Sequence, residues 1–354
     1  MSKLSHRLAL LAVCIASAIG GSALAQAAVT PSTQVSVQGD VRHARSYDLA
    51  GLQALPAVTQ TVSFGSGSGP QNHTYTGTSL WGVLDAAGIK TDPDLKNDIL
   101  GKYVLATGTD GYRVAFSMGE LNPGFGNRTD LLAYAETING VSAPLSTDGV
   151  ARVTTPGDVK GGRYVSNLAS LAVGSAAPTV KGAGGVSTQF SVSGDVTHTM
   201  NFDLAALKAL PIIHATVGST TYTGASFWDL LNSTVGLATK AAVKNDLLGM
   251  IVVATGSDGY KAAFSLGELS PDFGHQPDLI AYEANGVPLS DNGFARIIVP
   301  NDIRGGRAVS NLVGLDVFHA VAPVPEPSSM ALGLLGLTTI GWKLRQRRGS
   351  RSMP

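Results

Sequence analysis

A chain of 354 residues that is 44% hydrophobic can bury a core in each of two domains, at about 100–200 residues per domain. Only 14% of its residues are charged, and 25 Lys and Arg balance 25 Asp and Glu, which removes any basic field that would hold a nucleic acid. Its one cysteine, Cys14, excludes a disulfide framework and leaves the rest of the chain without a thiolate for catalysis or metal binding.

The first element is a leader over residues 1–27. Lys3, His6 and Arg7 give it a basic start, residues 8–19 are apolar, and Ala23-Leu24-Ala25 and Ala25-Gln26-Ala27 both fit the small-x-small cleavage rule. The apolar run is short against the about 20 residues a membrane span needs, so a removed signal peptide is expected, with a retained anchor as the alternative. Residues 35–41 alternate apolar and polar, the pattern of a half-buried strand. Asp48 is placed to cap a short helix over 49–55 that Pro56 ends. A strand over 58–64 is followed by a Gly/Ser loop. Ser79 caps a helix over 80–87 that Gly88 closes. Strands over 102–107 and 112–116 flank a turn at Asp110-Gly111, and strands over 131–135, 151–154 and 164–173 complete a mixed sheet. With 43 glycines and many Ser and Thr between short apolar runs, the expected class is α+β and β-rich.

The same order then repeats. Gly39-Asp40-Val41 recurs as Gly194-Asp195-Val196, and Tyr75-Thr76-Gly77 with Trp81 recurs as Tyr222-Thr223-Gly224 with Trp228. Asn97-Asp98 recurs as Asn245-Asp246, Asp110-Gly111-Tyr112 as Asp258-Gly259-Tyr260, and Gly161-Gly162-Arg163 as Gly305-Gly306-Arg307. A solenoid repeats every 20–50 residues or so, and this period is far longer, so the pattern means tandem domains. The expected boundaries are 35–173 and 188–319, joined over 174–187 by a linker rich in Gly, Ala, Ser and Pro.

The C-terminus has three parts within 324–348: Val324-Pro325-Glu326-Pro327, an apolar stretch over 330–342, and a basic cluster of Lys343, Arg345, Arg347 and Arg348. A short apolar helix followed by arginines is a stop-transfer design, although it is short for a full span. This end resembles the PEP-CTERM sorting signal of Gram-negative bacteria that make extracellular polysaccharide. The resemblance implies that Pro325, Glu326 and Pro327 are the recognition element for exosortase, a membrane protease that removes the tail. It also implies a membrane-anchored intermediate on the way to the cell surface or the medium. An ordinary tail anchor behind a Pro-rich linker is the alternative.

Each repeat runs from a Gly-x-Val strand through Leu-Pro, Tyr-x-Gly, Asp-Gly-Tyr and Leu-Ala-Tyr to Asn-Gly, Ala-Arg and Gly-Gly-Arg. In that order the motifs resemble the oxidoreductase molybdopterin-binding domain, the sulfite-oxidase-like fold, over about 35–173 and 190–318. The resemblance implies a cysteine that ligates molybdenum ahead of the Tyr-x-Gly segment. Phe64-Gly65-Ser66-Gly67-Ser68-Gly69 and Val217-Gly218-Ser219-Thr220 stand there without one, and a hydroxyl is a poor substitute for soft thiolate. The family's His-Gly is replaced by Asp148-Gly149 and Asn292-Gly293, and its late lysine by Ser166 and Ser310.

What remains of the implied site is Arg152, Arg163, Arg296 and Arg307, read either as a remnant anion or cofactor pocket or as braces for loops. Gly161-Gly162 and Gly305-Gly306 are either an anion-cradling nest or plain loops. Asp110 and Asp258 are explained by their turns, and no spacing forces them against Glu120 or Glu268 as an acid–base pair. His43, His73, His198, His214, His275 and His319 show no metal-ligand spacing, and Trp81 and Trp228 read as core. The expected function is an exported, non-catalytic module of two degenerate domains without a cofactor, binding extracellular polysaccharide or a small anionic ligand. The alternatives are a molybdopterin-dependent oxidoreductase with unusual ligation and a polysaccharide-associated protein.

Overall fold

The computed structural model describes residues 30–176 and 181–323; the expected leader at 1–27 and sorting tail at 324–348 lie outside them. The first half contains β1 (Val35–Gly39), β2 (Arg45–Tyr47), α1 (Leu49–Gln53), β3 (Ala57–Ser66), β4 (Gly69–Ser79), α2 (Leu80–Ala86), β5 (Lys102–Gly108), β6 (Arg113–Ser117) and α3 (Met118–Leu121). It closes with β7 (Leu131–Ile138), β8 (Val141–Pro144), β9 (Arg152–Thr154) and β10 (Leu168–Ser175). One sheet has the order β2-β1-β10-β5-β6, and the other β3-β4-β7-β8 with β9 also on β7. Only β1 and β10 pair in parallel.

The second half repeats this with β11 (Gln189–Gly194), β12 (Met200–Asp203), α4 (Leu204–Lys208), β13 (Ile212–Val217), β14 (Thr220–Ser226), α5 (Phe227–Asp229), β15 (Met250–Gly256), β16 (Lys261–Ser265) and α6 (Leu266–Leu269). It ends with β17 (Leu279–Ala284), β18 (Val287–Pro288), β19 (Arg296–Ile298) and β20 (Leu312–His319). Its sheets run β12-β11-β20-β15-β16 and β13-β14-β17-β18, with β19 on β17. The described residues are β-rich, and the helices among them are few and short.

Local chemistry explains the helix starts. Asp48 Oδ1 accepts from the Gly51 amide at 2.8 Å, and Asp203 Oδ1 accepts from Ala206 at 2.8 Å. Ser79 caps α2 through the Gly82 amide, and Gly88 leaves the helix at φ +70°. The second half has one residue more between its capping serine Ser226 and Gly236, and it absorbs the extra residue as a wide π-type turn over Leu230–Val235.

Residues 69–79, for which no strand is expected beyond the Gly/Ser loop, form β4. Their strand pattern is hidden because one face is lined by threonines, Thr59 pairing with Thr76 and Thr61 with Thr74 across the hairpin at 2.9 Å each, and the other buries Tyr75 among polar neighbours. Gly77 is required there, since a Cβ would stand 2.3 Å from the Leu132 carbonyl oxygen. The last strand starts at Leu168, later than its apolar run, because residues 161–163 are held in a single turn of 3-10 helix.

Each half buries its core between its two sheets, with Val35, Leu52, Leu84, Val104, Leu132 and Leu171 fully enclosed in the first. The opposite face of β5 and β6 packs on β15 and β16, bringing Leu105 and Ala115 against Ile251, Val253 and Ala263. Strand β5 is therefore buried on both faces and carries no polar alternation. Leu248 and Phe273 reach into the first half's core, and Leu100 and Phe125 into the second's.

Candidate functional site

The two halves meet about a local two-fold relation at the starts of α3 and α6. Each start is a capping box: Ser117 with Glu120, and Ser265 with Glu268. The boxes are interlocked. Ser265 Oγ donates to Glu120 Oε1 at 2.9 Å, and Ser117 Oγ donates to Glu268 Oε1 at 3.0 Å. The remaining oxygen of each glutamate accepts an arginine of its own half, Arg163 Nη1 on Glu120 Oε2 and Arg307 Nη1 on Glu268 Oε2, both at 2.7 Å. Arg163 Nε donates to Asp158 Oδ2 at 2.8 Å and Arg307 Nε to Asp302 Oδ2 at 2.9 Å. Both arginines are buried, and their guanidinium groups lie over Phe116 and Phe264 at 5.0 and 5.1 Å.

Glycines make this closeness feasible. A Cβ at Gly119 would stand 2.3 Å from Arg307 Cδ, and one at Gly267 would stand 2.6 Å from Arg163 Cδ. Gly162 and Gly306, one from each Gly-Gly pair, face phenyl rings of the opposite half. A Cβ on them would meet Phe273 at 2.3 Å and Phe125 at 2.2 Å. These glycines thus serve the approach of the other half.

Burial sets the electrostatics of the junction. It pushes the Glu268 carboxyl up to about 7, Arg307 opposing and Glu120 adding to the rise. It likewise pushes Asp130 up to about 7 against the pull of Arg128, and raises Asp278 well above the usual carboxylate range. Neither side-chain oxygen of Asp130 or Asp278 has a hydrogen-bond partner among the described residues. Burial disfavours the charge of Arg163 and Arg307, but the carboxylates around them outweigh it and hold both guanidinium groups charged. Arg128 reaches Asp158 at 2.7 Å in the first half, whereas Gln276 stands at the matching place in the second, which has one cation fewer.

Of the four arginines singled out in the sequence, Arg163 and Arg307 come together at this junction, and their N–H donors end on buried carboxylates. Arg152 and Arg296 lie apart on the outer sheets. Arg152 Nη1 donates to Asp148 Oδ2 and to the Tyr75 hydroxyl at 3.1 Å, and its guanidinium lies over the Tyr75 and Tyr164 rings. Arg296 lies over the Tyr222 ring, at 6.0 Å. Asp110 and Asp258 accept the amides of Tyr112 and Tyr260 within their turns, both at 2.9 Å. The sequence offered Glu120 and Glu268 only as conceivable acid–base partners of Asp110 and Asp258; the Ser-x-x-Glu spacing at 117–120 and 265–268 was the available signal.

A molybdopterin group does not fit the donor set. The places implied for its thiolate are the tip of the β3–β4 hairpin, where Ser66 Oγ donates to the Gly69 carbonyl at 2.9 Å, and the Gly218 turn of the second half. Hydroxyls are hard donors at positions that call for a soft one. Phe64, beside the first of them, packs on Tyr164 with ring centres 4.2 Å apart. Among the described residues no three His, Cys, Asp or Glu are arranged to hold a metal ion.

Residues 323–348 match the PEP-CTERM protein-sorting motif. The chain carries an exosortase sorting signal. Pro325, Glu326 and Pro327 fall within it, outside the described residues, and the motif marks an exported protein handled by exosortase-type machinery. No helix among the described residues is long and apolar enough to cross a membrane, and the apolar stretch expected as a membrane helix at 330–342 lies outside them. No curated protein matches the chain significantly. Among solved structures it is similar to the sulfane dehydrogenase SoxCD from Paracoccus pantotrophus, at 14% identity and a TM-score of 0.34, over 80% of this chain and 79% of that one. A likeness that distant decides neither fold family nor activity.

Proposed function

We propose that this exported protein is a non-catalytic binding or matrix-associated module of the cell surface or the medium, built from two degenerate sulfite-oxidase-like domains. In this reading the leader over 1–27 is a signal peptide, and the sorting signal holds the chain at the membrane until its tail is removed. The partner is extracellular polysaccharide or a small anionic ligand. The observation that carries the reading is the use of Arg163 and Arg307. A cofactor-binding domain would turn such guanidinium groups toward an anion, whereas here both brace one half against the other through Glu120 and Glu268. The absence of any cysteine beyond Cys14 supports it from the side of metal chemistry. Elemental analysis and pterin fluorescence of protein purified from its native compartment test it. The expected result is neither molybdenum nor pterin; one molybdenum atom per domain overturns the reading.

A further inference from the structure

A cleft of about 510 Å3 opens between the halves on one side of the junction. Arg113, from the β5–β6 hairpin of the first half, forms one wall, and Lys240, Lys244 and His319 of the second half form the other. Arg113, Lys240 and Lys244 are exposed, and their side chains make no ion pair among the described residues. The two carboxylates in the cleft are already engaged. Asp110 holds its own turn, and Asp246 Oδ2 accepts the Lys240 amide at 2.6 Å and His319 Nε2 at 2.8 Å.

His319 is itself a cation. Its Nδ1 meets Asp195 Oδ2 at 2.5 Å while its Nε2 meets Asp246, and carboxylate oxygens only accept, so both ring nitrogens carry protons. The walls are fixed to each other: Asn245 Nδ2 donates to the Tyr112 hydroxyl at 3.0 Å, and that hydroxyl donates to the Gly162 carbonyl at 2.6 Å.

The local two-fold relation supplies a built-in comparison. In the equivalent cleft of the other half, Asp92 stands where Lys240 stands and Asp94 where Ala242 stands, so that carboxylates outnumber cations there. In a chain with few charges and none in excess, this difference leaves one of the two related clefts with far fewer carboxylates beside its cations.

We propose that the cleft lined by Arg113, Lys240, Lys244 and His319 binds an anion bearing two or more carboxylate or sulfate groups. The guanidinium fork suits a planar carboxylate, and the two ammonium groups add point charges on the facing wall. This deepens the binding-module reading and rests on it; molybdenum content decides that reading, and anion titration decides this one.

The test is calorimetric titration of the purified protein with citrate at low salt, with acetate as the single-charge control. The expected result is one citrate per chain, bound far more tightly than acetate, with affinity lowered about tenfold or more in Lys240→Ala/Lys244→Ala. Arg113→Ala, on the other wall, weakens binding in the same direction, so the test does not depend on one variant's folding. No citrate binding at millimolar concentration, or binding unchanged by both variants, overturns the proposal.

Discussion

Between the same two strand positions, the halves solve one problem with different residues. In the first half Lys102 stands 3.3 Å from Asp98 and donates to Ser175 Oγ at 2.9 Å, and Ser175 donates to Asp40. In the second half Met250 replaces Lys102 and its strand neighbour His319 replaces Ser175, so the imidazolium bridges Asp195 and Asp246. The two flanking carboxylates outweigh burial and raise the His319 pKa above its ordinary 6.5. A raised folded value means that the stabilisation is fully present below pH 6.5 and fades as pH climbs through the folded value. His319→Ser should therefore cost about 1 kcal/mol at pH 6 and less at alkaline pH. Adding Met250→Lys should recover the loss and remove its pH dependence; thermal melts across pH 6–9 or so read both effects. A sequence comparison shows these two positions only as mismatches. Their trade becomes visible once the strand register places Met250 opposite His319.

Elements with local signals were legible in the sequence: the Asp48 and Ser79 caps, the Asp-Gly turns, and the alternating first strand. Strand β4 was hidden because threonine ladders cover one face in place of apolar residues, whereas β5 was legible from its apolar run although its two-sided burial erases alternation. Helices α3 and α6 are single turns that no periodicity reveals, yet they carry the junction. Their glycines have no room to grow. Gly119→Ala should push on an Arg307 pinned by Glu268 and Asp302 and destabilise the protein by about 1–3 kcal/mol in denaturant titration. The exposed hairpin glycine Gly140, which has nothing near its Cβ position but a φ of +80°, serves as the control and should lose only what its left-handed backbone demands.

At the scale of the molecule, duplication was plain in the sequence, but the way the copies join was not. Nothing in the spacing of Ser117 and Glu120 says that each will find a partner in the other copy's equivalents. Enclosing so many carboxylates ties folding to protons. Glu268 and Asp130 bind a proton up to about pH 7 when folded but only to their ordinary 4.5 and 3.8 when unfolded, so the folded state holds more protons between those limits. Their contribution to stability accordingly falls as pH rises from about 4 to 7, by on the order of 3 kcal/mol for each. Asp130→Asn and Glu268→Gln should each flatten that slope in melts taken across the interval, and an unchanged slope would sink the assignment.

The reciprocal junction has a consequence for what the surface is free to become. Two identical subunits must display every surface patch twice, whatever use each patch has. Covalent joining lifts that obligation while the shared seam keeps both halves in place, so a lysine can settle on one side of the axis and an aspartate at its counterpart. Specialisation of one flank thus costs the other nothing.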